Sequence, residues 1–149
     1  MHNDEFRKSL EQATATYEQH LDQARSYLEG RGIAISTARS CRLGVVVDPE
    51  PGHEAFVGRL AIPYLTRNGI TQIKFRTLAN ATAKYLGLSG VRPHLYNVES
   101  FFSAESFIAV TEGELDAAIL AYQCGIPAVG CPGVNTWLPH FPRLFAGFD

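Results

Sequence analysis

Cysteine is scarce in this sequence. Cys41, Cys124 and Cys131 are three residues in 149, widely spaced and without a Cys-x-x-Cys pair. Structural zinc sites are built on such pairs or on Cys/His equivalents, so no zinc site is expected in this chain, and the reading is of free thiols in a reducing compartment. No apolar run approaches the roughly 18 residues of a membrane span. The N-terminus, Met1-His2-Asn3-Asp4-Glu5, is polar and acidic, unlike a secretory signal. These absences point to a cytoplasmic protein without a membrane partner. Internal repeats and low-complexity segments are missing too.

One missing charge says more. Between Ala55 and Val98 there is no Asp or Glu, while Arg59, Arg67, Lys74, Arg76, Lys84 and Arg92 all fall inside. The whole chain carries a net charge of only −2, so the block is local. A surface that meets phosphates would produce it, and so would a solvated hairpin decorated with cations.

What is present is a globular composition, 46% hydrophobic and 19% charged, long enough for one ordinary domain or two small ones. The chain is organised around Phe107 to Leu120. Phe107 to Val110 are apolar and β-favouring, the pattern of a buried strand covered on both faces. Leu115, Ala118, Ile119 and Tyr122 then recur at helical spacing. Glu112 falls at the carboxyl edge of the strand, where ligands bind in open α/β sheets, and Asp116 follows one helical turn later. A carboxylate pair so placed suits a hard divalent cation. An ordinary helix-start acid would also sit at position 112. Glu114, between the two, is expected at the surface.

Upstream, Phe6, Leu10, Ala13, Tyr17, Leu21, Ala24 and Leu28 alternate spacings of three and four, which predicts one long amphipathic helix over 4–29, ended by Gly30 and Gly32. Ser36 is expected to cap a shorter helix through about Arg42, closed by Gly44. Val45 to Val47 reads as a strand. Phe56 to Leu65 and Ile70 to Leu78 flank Asn68-Gly69, a tight-hairpin signal, with Pro63 marking an edge or a break. In the second arm Thr71, Ile73, Phe75 and Thr77 form the apolar face, so Lys74 and Arg76 point together to solvent or a ligand. Residues 79–90 read as a linker, 94–97 as a short strand and 98–106 as a connection. Gly125 is a plausible helix cap. Residues 126–130 give a second parallel strand, and Cys131 to Thr136 a turn beside Glu112. A last helix carries Trp137, Leu138, Phe141, Leu144 and Phe145, interrupted by Pro139 and Pro142. The fold class is α/β with an incomplete sheet, because two parallel strands make a poor one.

Val110-Thr111-Glu112-Gly113-Glu114-Leu115-Asp116 resembles the Glu-Gly-x-x-Asp signature of the Toprim domain, in the context of bacterial and phage DnaG-type DNA primases. Tyr27-Leu28 with Arg31-Gly32-Ile33, then Leu43-Gly44, resemble the helical entry to the primase polymerase domain. Gly58 to Tyr64 resembles its Arg-Ile-x-Phe-Pro-Ile segment, Ile73 to Arg76 its Gly-Phe-x-x-Arg segment, and Lys84-Tyr85-Leu86 its Pro-Lys-Tyr-Leu-Asn-Ser segment. Gly125 to Thr136 resembles the strand and loop after the Toprim helix. The ordered set covers residues 24 to 149.

The resemblance implies an α+β N-terminal subdomain of helices and a basic β-hairpin over 1–100, then the first β-α-β-α part of a Toprim domain over 101–149. It implies a nucleotidyltransferase, a DNA-directed RNA polymerase that makes short RNA primers during DNA replication. Its partners are single-stranded DNA template, NTPs, the RNA primer and a replicative helicase. Glu112 becomes the catalytic carboxylate, serving cation placement or proton transfer at the primer 3′ hydroxyl, and a ligand to Mg or Mn, with Asp116 a further metal ligand. Arg59, Arg76 and Lys84 match positions that contact template or nucleotide phosphate, and Lys74 shares the strand face of Arg76. Departures are equally plain. Ala83 precedes Lys84 where the family has Pro, and Gly87-Leu88 stand where it has Asn-Ser. No zinc-ribbon template reader precedes the domain. The Asp-x-Asp motif expected on the next strand is absent, since the sequence stops at Asp149. Two-metal phosphoryl chemistry needs more oxygen ligands than Glu112 and Asp116 supply. The expectation is therefore part of a larger or two-chain primase, inactive alone, whose Asp-x-Asp lies elsewhere or on a second polypeptide. A non-catalytic primase-like module that binds single-stranded DNA or a helicase, and another Toprim nucleic-acid enzyme such as a nuclease or topoisomerase, are the alternatives.

Overall fold

A computed structural model describes residues 2–79, 83–133 and 135–148. Residues 80–82 of the expected linker, Val134 of the expected turn and the terminal Asp149 lie outside them. The chain forms two compact units, Met1–Tyr64 with Asn68–Val91, and Leu65–Arg67 with Arg92–Asp149.

In the first unit the apolar stripe is real but the helix is not continuous. Helix α1 runs His2–Glu18, a 3-10 turn covers Leu21–Ala24, and α2 runs Arg25–Gly30. Leu10, Ala13, Tyr17, Leu21, Ala24 and Leu28 are all buried, and only Phe6 is exposed, at 38%. Burying each large side chain contributes about 1.5–3 kcal/mol. The end of α1 meets strand β1, Gly44–Val45. A Cβ on Gly44 would lie 2.3 Å from the carbonyl carbon and oxygen of Tyr17, so only glycine admits this approach. Gly44 therefore serves the strand, not the close of the preceding helix.

That helix, α3, spans Ile35–Ser40 and starts from Ala34 without a side-chain cap. Ser36 lies inside it, its carbonyl accepting from the Ser40 hydroxyl. Arg42 closes α3 at a φ of 56°, with Leu43 N–H on the Ala38 carbonyl and Arg42 N–H on the Arg39 carbonyl. This is the 6→1 and 5→2 pattern that glycine usually serves. Arg42 holds the position through the carboxylates of Glu18 and Glu11, at 2.9 and 2.7 Å.

The sheet of this unit has the order β1-β2-β3-β4. Strand β2 is Leu60–Thr66 and β3 is Gly69–Arg76. Within the turn region only Gly69 takes a positive φ, 103°. Pro63 sits in an inner strand, yet β1 pairs only with Leu60 and Ala61, so no partner from β1 requires the missing proline N–H. The expected linker contains a strand instead. Strand β4, Tyr85–Gly87, pairs antiparallel with β3, Arg76 facing Tyr85 and Lys74 facing Gly87. Beneath β3 the Phe75 ring stacks on Phe56 at 4.0 Å and meets His53 edge-on at 5.4 Å.

The second unit is built on a parallel pair, β5 (Ala109–Thr111) and β6 (Ala128–Gly130), in register Ala109↔Ala128 to Thr111↔Gly130. Residues 94–97 contribute a single antiparallel bridge, Tyr96↔Gly130, rather than a strand. The expected connection over 98–106 holds helix α4, Ser100–Ser103. Asn97, at a φ of 59°, donates to Ser100 Oγ and the Ala128 carbonyl, both at 2.9 Å, which ties α4 to β6. The apolar run is not covered on both faces: Ile108 is buried, but Phe107 and Val110 are 51% and 47% exposed. Two short strands enclose less of each other than the composition anticipates. Helix α5 is Glu114–Ala118, continued by a π-turn over Ile119–Gln123, so the stripe drifts outward and Tyr122 is exposed. Gly125 follows at a φ of 66°, in the capping position read for it. The last helix, α6, is only Phe141–Leu144 and carries Pro142 in its first turn, leaving Trp137 and Leu138 outside it.

Candidate functional site

The acidic site grows from the end of β5. Thr111 closes the strand, Gly113 is the extended N-cap and Glu114 opens α5. The Thr111 hydroxyl donates to the Gly113 carbonyl at 2.8 Å, which holds the turn that carries Glu112. A Cβ on Gly130 would lie 3.0 Å from that carbonyl oxygen and 3.3 Å from the Glu114 Cα. A side-chain-free residue at the end of β6 therefore lets the turn settle on it. Glu112 and Asp116 are both exposed. The Asp116 carboxylate folds back over the turn, its Oδ2 at 3.5 Å from where a Gly113 Cβ would stand. Cys131, just beyond β6, donates its N–H to the Thr111 carbonyl at 2.9 Å. Burial pushes its thiol up, and the charges of Glu112 and Glu114 add to the effect. The loop after β6 thus lies in the field of this turn.

Glu114 overturns an expectation. It is 2% exposed, because α5 buries Glu114, Leu115, Ala117 and Ala118 together. The variable position of the motif is on the inner side of the helix. Among the described residues no three His, Cys, Asp or Glu side chains gather to hold a metal ion. Two carboxylates match a magnesium-like ion that takes its remaining ligands from water and phosphate. They fall short of a two-ion site.

The basic residues gather around β4. Arg59 donates to the Ala83 carbonyl at 3.0 Å, and the Thr77 N–H donates to the Lys84 carbonyl at 2.9 Å. Arg76 is half-buried and donates through Nε to the Tyr27 hydroxyl and through Nη1 to the Tyr85 hydroxyl. Its guanidinium carbon is 4.7 Å from the Tyr85 ring centroid. The Lys74 ammonium is 5.8 Å from the same ring and 6.0 Å from Tyr64. Lys74 and Arg76 are therefore seated among tyrosines rather than projecting as a bare ridge. Lys84 is exposed. Its register opposite Thr77 puts its Cβ on the other face of the sheet from Arg76 and Tyr85. Arg67 leaves the basic set: its N–H and Nε bind Glu99 at 2.8 and 3.0 Å, and its guanidinium covers Phe102 at 3.5 Å. Tyr27 and Tyr85 as partners of Arg76 went unread, since only the pairing of β4 reveals the second of them.

An antiparallel sheet backed by helices, and a small parallel sheet with an acid at its carboxyl edge, define an α/β core of mixed strands. The fold is that of the DnaG-type primase catalytic core. The E. coli primase catalytic core superposes with a TM-score of 0.74 at 23% identity, covering 97% of this chain and 60% of that one. A DnaG primase catalytic domain bound to single-stranded DNA gives 0.72 at 22%, covering 99% and 61%. The RNA polymerase domain of Mycobacterium tuberculosis DnaG gives 0.73 at 18%, covering 95% and 60%. The chain thus spans about three fifths of these proteins. The gene 57 protein of Mycobacterium phage D29 is 44% identical over 96 residues, 61% of this chain and 62% of that protein. No family model matches the chain.

Proposed function

We propose that this chain is part of a phage DNA primase that makes short RNA primers on single-stranded DNA. The observation that carries the reading is an exposed acid, Glu112, at the carboxyl end of a parallel strand in a primase-core fold. Glu112 and Asp116 would hold a Mg or Mn ion, and that ion would supply charge stabilisation at the transferring phosphoryl group. In this reading Glu112 also accepts the proton of the primer 3′ hydroxyl. Further oxygen ligands, an Asp-x-Asp pair among them, come from the rest of a larger enzyme or from a second polypeptide. Arg59, Lys74, Arg76 and Lys84 bind template and NTP phosphates, and a replicative helicase delivers the template.

The chain alone should bind oligo-dT with an affinity that falls with salt and make no primers with Mg or Mn. Supplying the missing ligands, as a fused or separate polypeptide, should bring template-directed synthesis that Glu112→Gln abolishes. Synthesis that survives Glu112→Gln would sink the assignment. The gathering of Arg59, Lys74 and Arg76 around β4 also supports a second reading, a non-catalytic module that recruits DNA or a helicase. In that case Glu112→Gln leaves function intact, while Arg76→Ala weakens DNA binding.

A further inference from the structure

We infer that Tyr27 and Tyr85 are positioning residues that hold Arg76 as a clamp for a phosphate group, whether of a nucleic-acid strand or of a nucleoside triphosphate. The inference rests on the primase reading for its ligand and on the arginine's partners for its substance. Elsewhere in the chain Arg42 is matched by Glu11 and Glu18, Arg67 by Glu99 and Arg25 by Asp22, while Arg7 and Arg59 donate to the Asn68 and Ala83 carbonyls. Arg76 is matched by two neutral phenols. No carboxylate lies in its own strand or the flanking ones, since the sequence has no Asp or Glu from Ala55 to Val98. A half-buried guanidinium without a counter-ion is costly unless an anion completes it.

The donor geometry fits that anion. A guanidinium has five N–H groups, and among the described residues the two tyrosine hydroxyls engage one on Nε and one on Nη1. Both Nη2 hydrogens and the second on Nη1 stay available for phosphate oxygens. Tyr85, on β4 directly across from Arg76, also lies under the Lys74 ammonium at 5.8 Å. One ring thus fixes the spacing of two cations on one sheet face. Tyr27, from α2, stops the guanidinium rotating about its Cδ–Nε bond. Lysine at position 76 could not make two phenol bonds and still present a planar fork.

The test measures binding of the full chain to oligo-dT, with ATP as a second arm, across a salt series. Tyr27→Phe and Tyr85→Phe keep the rings and the charges and remove only the hydroxyls. Each should weaken binding about three- to tenfold with an unchanged salt slope. Arg76→Ala should weaken it more and lower the oligo-dT slope by about one. The Arg76 Nε–H proton, followed by NMR, should exchange faster with solvent in Tyr27→Phe. Response in the DNA arm alone identifies a strand phosphate, and in the ATP arm alone a nucleotide phosphate. If Arg76→Ala weakens binding while both Tyr→Phe variants match the wild type, the positioning role is overturned and the primase reading stands. If the wild type binds neither ligand, both fall.

Discussion

The Tyr17 hydroxyl lies 2.7 Å from His53 Nδ1 in the core of the first unit. The Glu50 backbone N–H donates to the same hydroxyl at 3.1 Å, and burial raises the phenol pKa, so the tyrosine keeps its proton. Together the two bonds fasten the Pro/Gly loop over 48–52 to α1.

Burial holds the His53 imidazole below its ordinary value of 6.5, against the opposing charges of Glu50 and Glu54. The neutral form is the folded form, so its stabilising contribution is complete above the ordinary histidine value. It is lost as pH falls through the depressed folded value. Denaturant midpoints measured from pH 8 to 5 should fall toward acid, and His53→Gln should flatten that dependence. Tyr17→Phe should cost about 1–2 kcal/mol at neutral pH by leaving a buried ring nitrogen and an N–H without a partner.

Arg42 sets two effects against each other, a left-handed backbone and two carboxylate partners. The Glu18 and Glu11 bonds hold its guanidinium above the usual arginine range. Arg42→Ala loses the pairs and keeps the unfavourable φ, whereas Arg42→Gly loses the pairs and relaxes the backbone. The alanine variant should be less stable than the glycine variant by about 1 kcal/mol in chemical denaturation.

Gly44→Ala would drive a methyl into the Tyr17 peptide, whose backbone atoms cannot swing aside as a side chain can. Loss of at least about 2 kcal/mol is expected, read as a lowered Tm. An unchanged Tm would refute the close approach.

Arg59 anchors the start of β4 through the Ala83 carbonyl. In Arg59→Ala the Thr77 amide, bonded to the neighbouring Lys84 carbonyl, should exchange with solvent roughly three- to tenfold faster. Amides in α1 should be unaffected.

Thr14 Oγ1 is buried without a hydrogen-bond partner among the described residues. Thr14→Val keeps the shape and removes the stranded hydroxyl, so stability should rise by about 1 kcal/mol.

Local spacing made much of this legible. The buried stripe from Leu10 to Leu28, the hairpin around Gly69 and the β5-Glu112-α5 turn all follow from periodicity and turn chemistry within a dozen residues. What escaped depends on distant backbone. The break after Glu18 accompanies the close contact of Gly44 with Tyr17, residues far apart in sequence. Strand β4 is three residues of weak pattern, and it exists through its ladder with β3. Glu114 was misread because a carboxylate was assumed to seek water, whereas the helix phase buries it. The aromatic seat of Arg76 required the partner of β4 and the position of α2 at once, and a one-dimensional charge count contains neither.

Glu99 lies 32 positions beyond the hairpin turn residue that it grips. Closing a contact across that span costs more loop entropy than pairing the two strands that the turn joins directly. In refolding, the grip of Glu99 on the hairpin tip should therefore follow the hairpin and not nucleate it.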